Sequence, residues 1–141
     1  MLAGCASLVR KIAPDVRIYG AQSENTDAMA RSLAARRIVE IEDKATLADG
    51  LAGQIDADAF DIGLHALDAI ATVTEAEVAK AIAWLHREHN SKVEGAGACG
   101  TAAILFGKAK VETPCAVVVS GGNIDEAKWR EVIATHSALR T

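Results

Sequence analysis

Apolar residues at Leu2, Cys5, Leu8, Val9 and Ile12 recur at helical spacing, which predicts a helix from Leu2 to Ala13 that Pro14 stops. Val16 to Ala21 alternates and runs into a polar cluster, as a strand does. Met29 and Leu33 share a face of a second helix, Thr26 to Ala35, with Asn25 placed to cap it. Ile38 to Ile41 reads as a short extended piece and Thr46 to Gly50 as a turn-rich loop. Asp58 to Ile70 has a helical pattern interrupted by Gly63, and Ala71 to Val73 is extended. Thr74-Glu75-Ala76-Glu77 is a capping box, opening a helix with Val78, Ile82 and Leu85 on one face and Asn90 as its stop. Gly95 to Phe106 reads as an apolar helix of small residues. Cys115 to Ser120 is a continuous β-branched run, expected for a strand covered on both faces. Asp125 to Thr135 is a last amphipathic helix.

This alternation of helix and strand predicts an α/β fold, three αβα layers around a mostly parallel sheet. No linker or repeat divides residues 1–141, so a single domain is expected. Such units usually open on a strand, so a strand is expected to precede Leu2. Composition sharpens the picture little. Half the residues are hydrophobic, 24% are charged and the net charge is −4, which favours neither nucleic acid nor anionic membrane as a partner. No apolar run approaches the ~20 residues needed to span a bilayer. The abundant alanine suits helices lying close on a sheet.

Gly95-x-Gly97-x-x-Gly100 fits the dinucleotide fingerprint, but the expected downstream acidic residue is absent near Pro114 to Val119. Small residues that let a helix pack closely on a sheet are the simpler explanation of the motif. Ser120-Gly121-Gly122-Asn123 follows a strand-like run, where open α/β sheets collect ligands. A tight turn with Asn123 capping the next helix is the simpler alternative. His86 and His89 lack the further ligands a metal requires and suit a solvated helix end. Trp84 and Trp129 are read as packing residues. Cys5, Cys99 and Cys115 are expected to be buried, reduced thiols of a cytoplasmic protein. Leu2-Ala3-Gly4-Cys5 mimics a lipoprotein cleavage box, but only Met1 precedes it.

The order of these segments carries more than any one of them. Pro14 to Gly20, Thr26 to Leu33, Thr46 to Ala52, Val73 to Val78, Val93 to Ala98 and Val117 to Asn123 together resemble the pyridoxal-phosphate (PLP) dependent threonine and serine dehydratases, in order and at matching spacing. The resemblance implies the C-terminal portion of the tryptophan synthase β-like PLP fold, called type II. It implies that Ser120 hydrogen-bonds the pyridine nitrogen, that Gly121, Gly122 and Asn123 pass close to the ring, and that Glu94 and Gly95 line its other side. A hydroxyl partner tempers the cofactor's electron sink, which suits β-elimination of water.

The departures from the family matter too. No lysine here lies in the family's S-F-K-x-R-G context, and no G-G-G-G-L phosphate loop is present; both are expected upstream. Gln22 and Ala28 stand where the family's divalent-cation site, where present, has carboxylates, so no metal is expected. The resemblance implies part of a threonine or serine ammonia-lyase, which releases a 2-oxo acid and ammonia from a small hydroxy amino acid. This chain alone is expected to be inactive, to hold PLP weakly or not at all, and to form a homo-oligomer. The alternative is a non-catalytic ligand-binding or subunit module using the glycine-rich stretch from Gly95 to Gly100.

Overall fold

The computed structural model describes residues 1–42 and 44–136; the rest of the expected 1–141 domain lies outside the described residues. Helix α1 spans Leu2–Ile12, and the Ala13 N–H closes its last turn on the Val9 carbonyl at 2.8 Å before Pro14. Arg10 then fixes the exit of the helix. Its guanidinium donates to the carbonyls of Ala66, Pro14 and Val16 and pairs with Asp68. Asp68 also accepts the Ile18 N–H at 2.6 Å, while the Asp68 N–H bonds the Ile18 carbonyl at 2.9 Å. The Ile18 N–H and Arg10 hold the Asp68 carboxyl below its usual range, against a partial burial that works the other way.

These bonds set the register of the sheet. Strand β1 (Tyr19–Ser23) runs parallel to β2 (Ala69–Val73), paired from Tyr19 with Ala69 to Ser23 with Val73. Between them come α2 (Ala28–Ala35), a 3-10 turn (Asp49–Leu51) and α3 (Ala57–Ala66). After β2 follow α4 (Glu75–His89), α5 (Gly95–Leu105) and α6 (Glu126–His136). The capping box of α4 forms in full, with Thr74 and Glu77 each satisfying the other's backbone N–H at 3.2 and 2.8 Å. Asn90 ends that helix in the left-handed conformation at φ 49°.

Strand alternation divides the helices into two layers. Ala21, Ala71 and Val73 join the core made by α4 and α5, including Val78, Ile82, Ala98, Cys99 and Ala102. Residues of opposite parity face the other helices. Space for a side chain at Gly20 is bounded by Leu2 of α1 and by Ile70, and Gln22 bonds the Ala30 N–H in α2 at 3.0 Å. Helix α3 packs on α1 and α2, and α6 packs outside on α4. The result is a three-layer αβα arrangement around a parallel sheet, as the sequence predicts.

Several local expectations are corrected. Asn25 does not cap α2; its amide donates to the Ala45 carbonyl at 2.7 Å, and the helix begins later, at Ala28. Helix α3 stops at Ala66, because Asp68 is captured by Ile18 and Arg10 and the chain is drawn into β2. Ile38 to Ile41 forms no strand. The Cys115 to Ser120 run is not a covered strand. Among the described residues it has no ladder partner and makes no backbone hydrogen bond, and Val117, Val118 and Val119 are 39, 63 and 42% exposed. A strand is buried on both faces only when neighbouring strands and helices cover it, and among the described residues the sheet has two strands. Cys115 is therefore exposed, as is Cys5 on α1; of the three free thiols only Cys99 is buried.

Candidate functional site

Two segments converge on the start of α5, and glycine is what lets them. A Cβ on Gly95 would lie 2.0 Å from the Leu47 carbonyl oxygen, and one on Gly97 would lie 1.7 Å from that of Ser120. Gly100 is less tight, its Cβ position lying 3.1 Å from Val117. The small residues of this helix thus admit neighbouring backbone, with the loop from Thr46 on one side and the Ser120 segment on another.

Glu94 ties the same place together. It occupies the N-cap position of α5, yet its side chain makes no cap bond there. Its N–H instead donates to the Gly121 carbonyl at 3.2 Å, and its Oε2 accepts the Asn123 N–H at 3.0 Å. Gly121 has φ +79°, and a Cβ there would sit 2.2 Å from Glu94 Oε1. Asn123 does not cap α6; Asp125 does, accepting the Lys128 N–H at 2.9 Å. Gly122 runs past the Lys92 carbonyl, 3.0 Å from where its Cβ would be. Glu94, Gly95, Ser120, Gly121, Gly122 and Asn123 therefore lie in one contiguous patch. Ser120 is half-buried, and its hydroxyl makes no hydrogen bond among the described residues.

One carboxylate that sequence reasoning passed over stands behind this patch. Glu75, the first residue of α4, is half-buried and accepts hydrogen bonds from the hydroxyls of Ser23 and Thr46 and from the Leu47 N–H, the last two at 2.7 and 2.6 Å. Each hydroxyl in turn accepts a backbone N–H, from Asn25 and Ala48. In sequence Glu75 is only an acid in the first turn of a helix; nothing local announces partners 28 and 52 residues away. Cys99 lies nearby. Burial, with the Glu75 charge adding to it, pushes its thiol up to about 12.

Gln22, expected from the resemblance to stand at a cation position, is bonded at both ends. Its amide donates to the Thr26 carbonyl at 2.9 Å and its oxygen accepts the Ala30 N–H, so both ends bond within the turn. An open acidic hollow of about 250 Å³ lies beside that turn, lined by Glu24, Asp27, Glu40 and Glu42 with Arg31 and Lys44. Among the described residues no group of three or more His, Cys, Asp or Glu is placed to hold a metal ion. None of the described helices is long and apolar enough to cross a membrane. His86 and His89 meet Trp129 and Trp84 edge to face at 4.9 and 5.0 Å, and both tryptophans pack against the core.

Relatives share this arrangement of segments. The L-threonine ammonia-lyase of Thermotoga maritima is 36% identical over 126 residues, covering 89% of this chain and 31% of the relative. A putative threonine dehydratase of Sinorhizobium fredii is 36% identical over 137 residues, covering 94% and 41%. Among solved structures, a threonine deaminase from T.th. superposes with a TM-score of 0.82 at 34% identity, covering 88% of this chain and 46% of that one. Maize serine racemase gives 0.83 at 26% identity, covering 96% and 43%. The chain spans less than half the length of each of these proteins. Residues 1–121 match the family described as pyridoxal-phosphate dependent enzyme, and the chain belongs to that family.

Proposed function

We propose that this chain is the pyridine-nitrogen side of a PLP-dependent hydroxy-amino-acid dehydratase of the threonine or serine ammonia-lyase type, without the lysine that binds the cofactor covalently. The observation that carries the proposal is the Ser120 hydroxyl. It is half-buried and unbonded among the described residues, on a backbone locked against Gly97 and Glu94. A hydroxyl held this way is suited to a ring nitrogen, and the glycines beside it let Glu94 and the Lys92 carbonyl come close enough to fix the segment that carries it.

The residues present thus fit one side of the cofactor. Ser120 would meet the pyridine nitrogen, Gly121, Gly122 and Asn123 would flank the ring, and Glu94 with Gly95 would line the other side. Bound there, PLP supplies the electron sink for removing water and then ammonia from a small hydroxy amino acid. Ser120 contributes a neutral hydrogen bond, weaker in stabilising positive charge on the ring than a carboxylate. Glu94 sets the position of that hydroxyl through its bonds to Gly121 and Asn123.

The experiment is an assay of 2-oxo acid release from threonine, serine and 3-hydroxyaspartate with added PLP. The chain alone is expected to give no more than free PLP. Joined to the residues of the Thermotoga maritima enzyme that it does not match, it is expected to turn over. Activity of the chain alone, even far below typical enzyme rates of ~1–10³ s⁻¹, would contradict the proposal.

A further inference from the structure

We infer that Glu75 is a positioning residue for the Glu94–Ser120 patch, an inference that rests on the proposed cofactor reading of that patch. Helix α4 does not need Glu75 as a cap, because Thr74 and Glu77 already satisfy its first turn. All three partners of the Glu75 carboxylate lie outside its own helix, one at the end of β1 and two in the loop at Thr46 and Leu47. Both hydroxyls accept a backbone N–H, from Asn25 and Ala48, and so must donate onward. The Glu75 carboxylate accepts at both oxygens, the two hydroxyls at Oε1 and the Leu47 N–H at Oε2, which an amide in its place could not do because one end carries only donors. The fixed loop then presents the Leu47 carbonyl to Gly95, with no space between them for a Cβ. Gly95 opens α5 directly after Glu94, whose backbone and carboxylate hold Gly121 and Asn123. The Glu75 carboxylate thus sets the height of the loop, the loop sets the start of α5, and the start of α5 sets Ser120.

Amide resonances of the 141-residue chain, followed by nitrogen–proton correlation spectra and hydrogen exchange, test this. Glu75→Gln keeps the size of the side chain but turns an N–H toward groups that must donate. Exchange at Leu47 and Ala48 is expected to quicken about tenfold or more, and the Glu94 and Asn123 amide resonances are expected to move. Thr74→Ala is the control: it weakens α4 and is expected to leave those four amides in place. Should Glu75→Gln fail to fold, Thr46→Val removes one donor of the set, and the same four amides are read. Unmoved Glu94 and Asn123 resonances in a folded variant, or equal movement in Thr74→Ala, would overturn the inference. None of these readouts involves PLP, so the cofactor reading of Ser120 stands or falls separately.

Discussion

A methyl group at position 97 would collide with the Ser120 carbonyl, 1.7 Å from the Cβ it would carry, and backbone sits on both sides of the clash. Gly97→Ala is therefore expected to lower unfolding stability by about 3 kcal/mol or more. Gly4→Ala, in exposed α1 with nothing within 4 Å of the new atom, is expected to raise it by roughly 0.5–1 kcal/mol. Urea unfolding midpoints of the two variants check both, and similar shifts would contradict the packing described. Cys99 allows a second check. Its thiol ionises at about 12 in the folded chain against an ordinary 9.0. The unfolded state therefore loses its proton first, so this contribution to stability is complete below pH 9.0 and is lost as pH rises towards 12. Removing the thiol with Cys99→Ala should flatten that alkaline decline. A thiol reagent at neutral pH should modify Cys5 and Cys115 and spare Cys99 until the chain unfolds.

Element by element, what could be read in advance was what is settled locally. The α4 capping box needs only Thr74 and Glu77 and forms as read. Lys108 reinforces it at 3.2 Å from Glu77. Burial works to raise the Glu77 carboxyl, but the Thr74 N–H and Lys108 outweigh it and hold the carboxyl low. Its contribution is thus present above the ordinary 4.5 and is lost as pH falls below it. Glu77→Gln keeps an acceptor for the Thr74 N–H but loses the charge that pairs with Lys108, so it should cost roughly 0.2–1 kcal/mol near neutral pH, and the gap from the parent chain should close in acid. A gap that persists in acid would contradict this origin of the helix start. The elements that departed from expectation depend on distant groups. Asn25 serves Ala45 rather than α2, and α3 ends where Asp68 is claimed by Ile18 and Arg10. The valine run at 117–119 has strand chemistry without strand neighbours. The site was legible as a patch because its glycines and Glu94 are close in sequence order to a recognisable family pattern. Glu75 was not, since its partners come from two other parts of the chain.

Across the whole molecule, the exposed valines and the apolar positions Leu8, Ile12 and Val16 leave hydrophobic surface in water. The chain is expected to self-associate at micromolar concentrations, with Val118→Lys shifting it towards monomer in analytical ultracentrifugation. A clean monomer in both would contradict that expectation. The same surface fits a chain that spans less than half the length of its relatives. Ser120 is proposed to meet the ring nitrogen of PLP once the rest of such an enzyme is present. The direct measurement is threonine turnover by this chain joined to the unmatched residues of the Thermotoga maritima enzyme, with and without Ser120→Ala. The substitution is expected to lower turnover at least about a hundredfold, out of scale with the roughly 0.5–1.5 kcal/mol that one hydrogen bond contributes to the fold. Unchanged turnover in a folded Ser120→Ala protein would mean that Ser120 to Asn123 is a turn and nothing more.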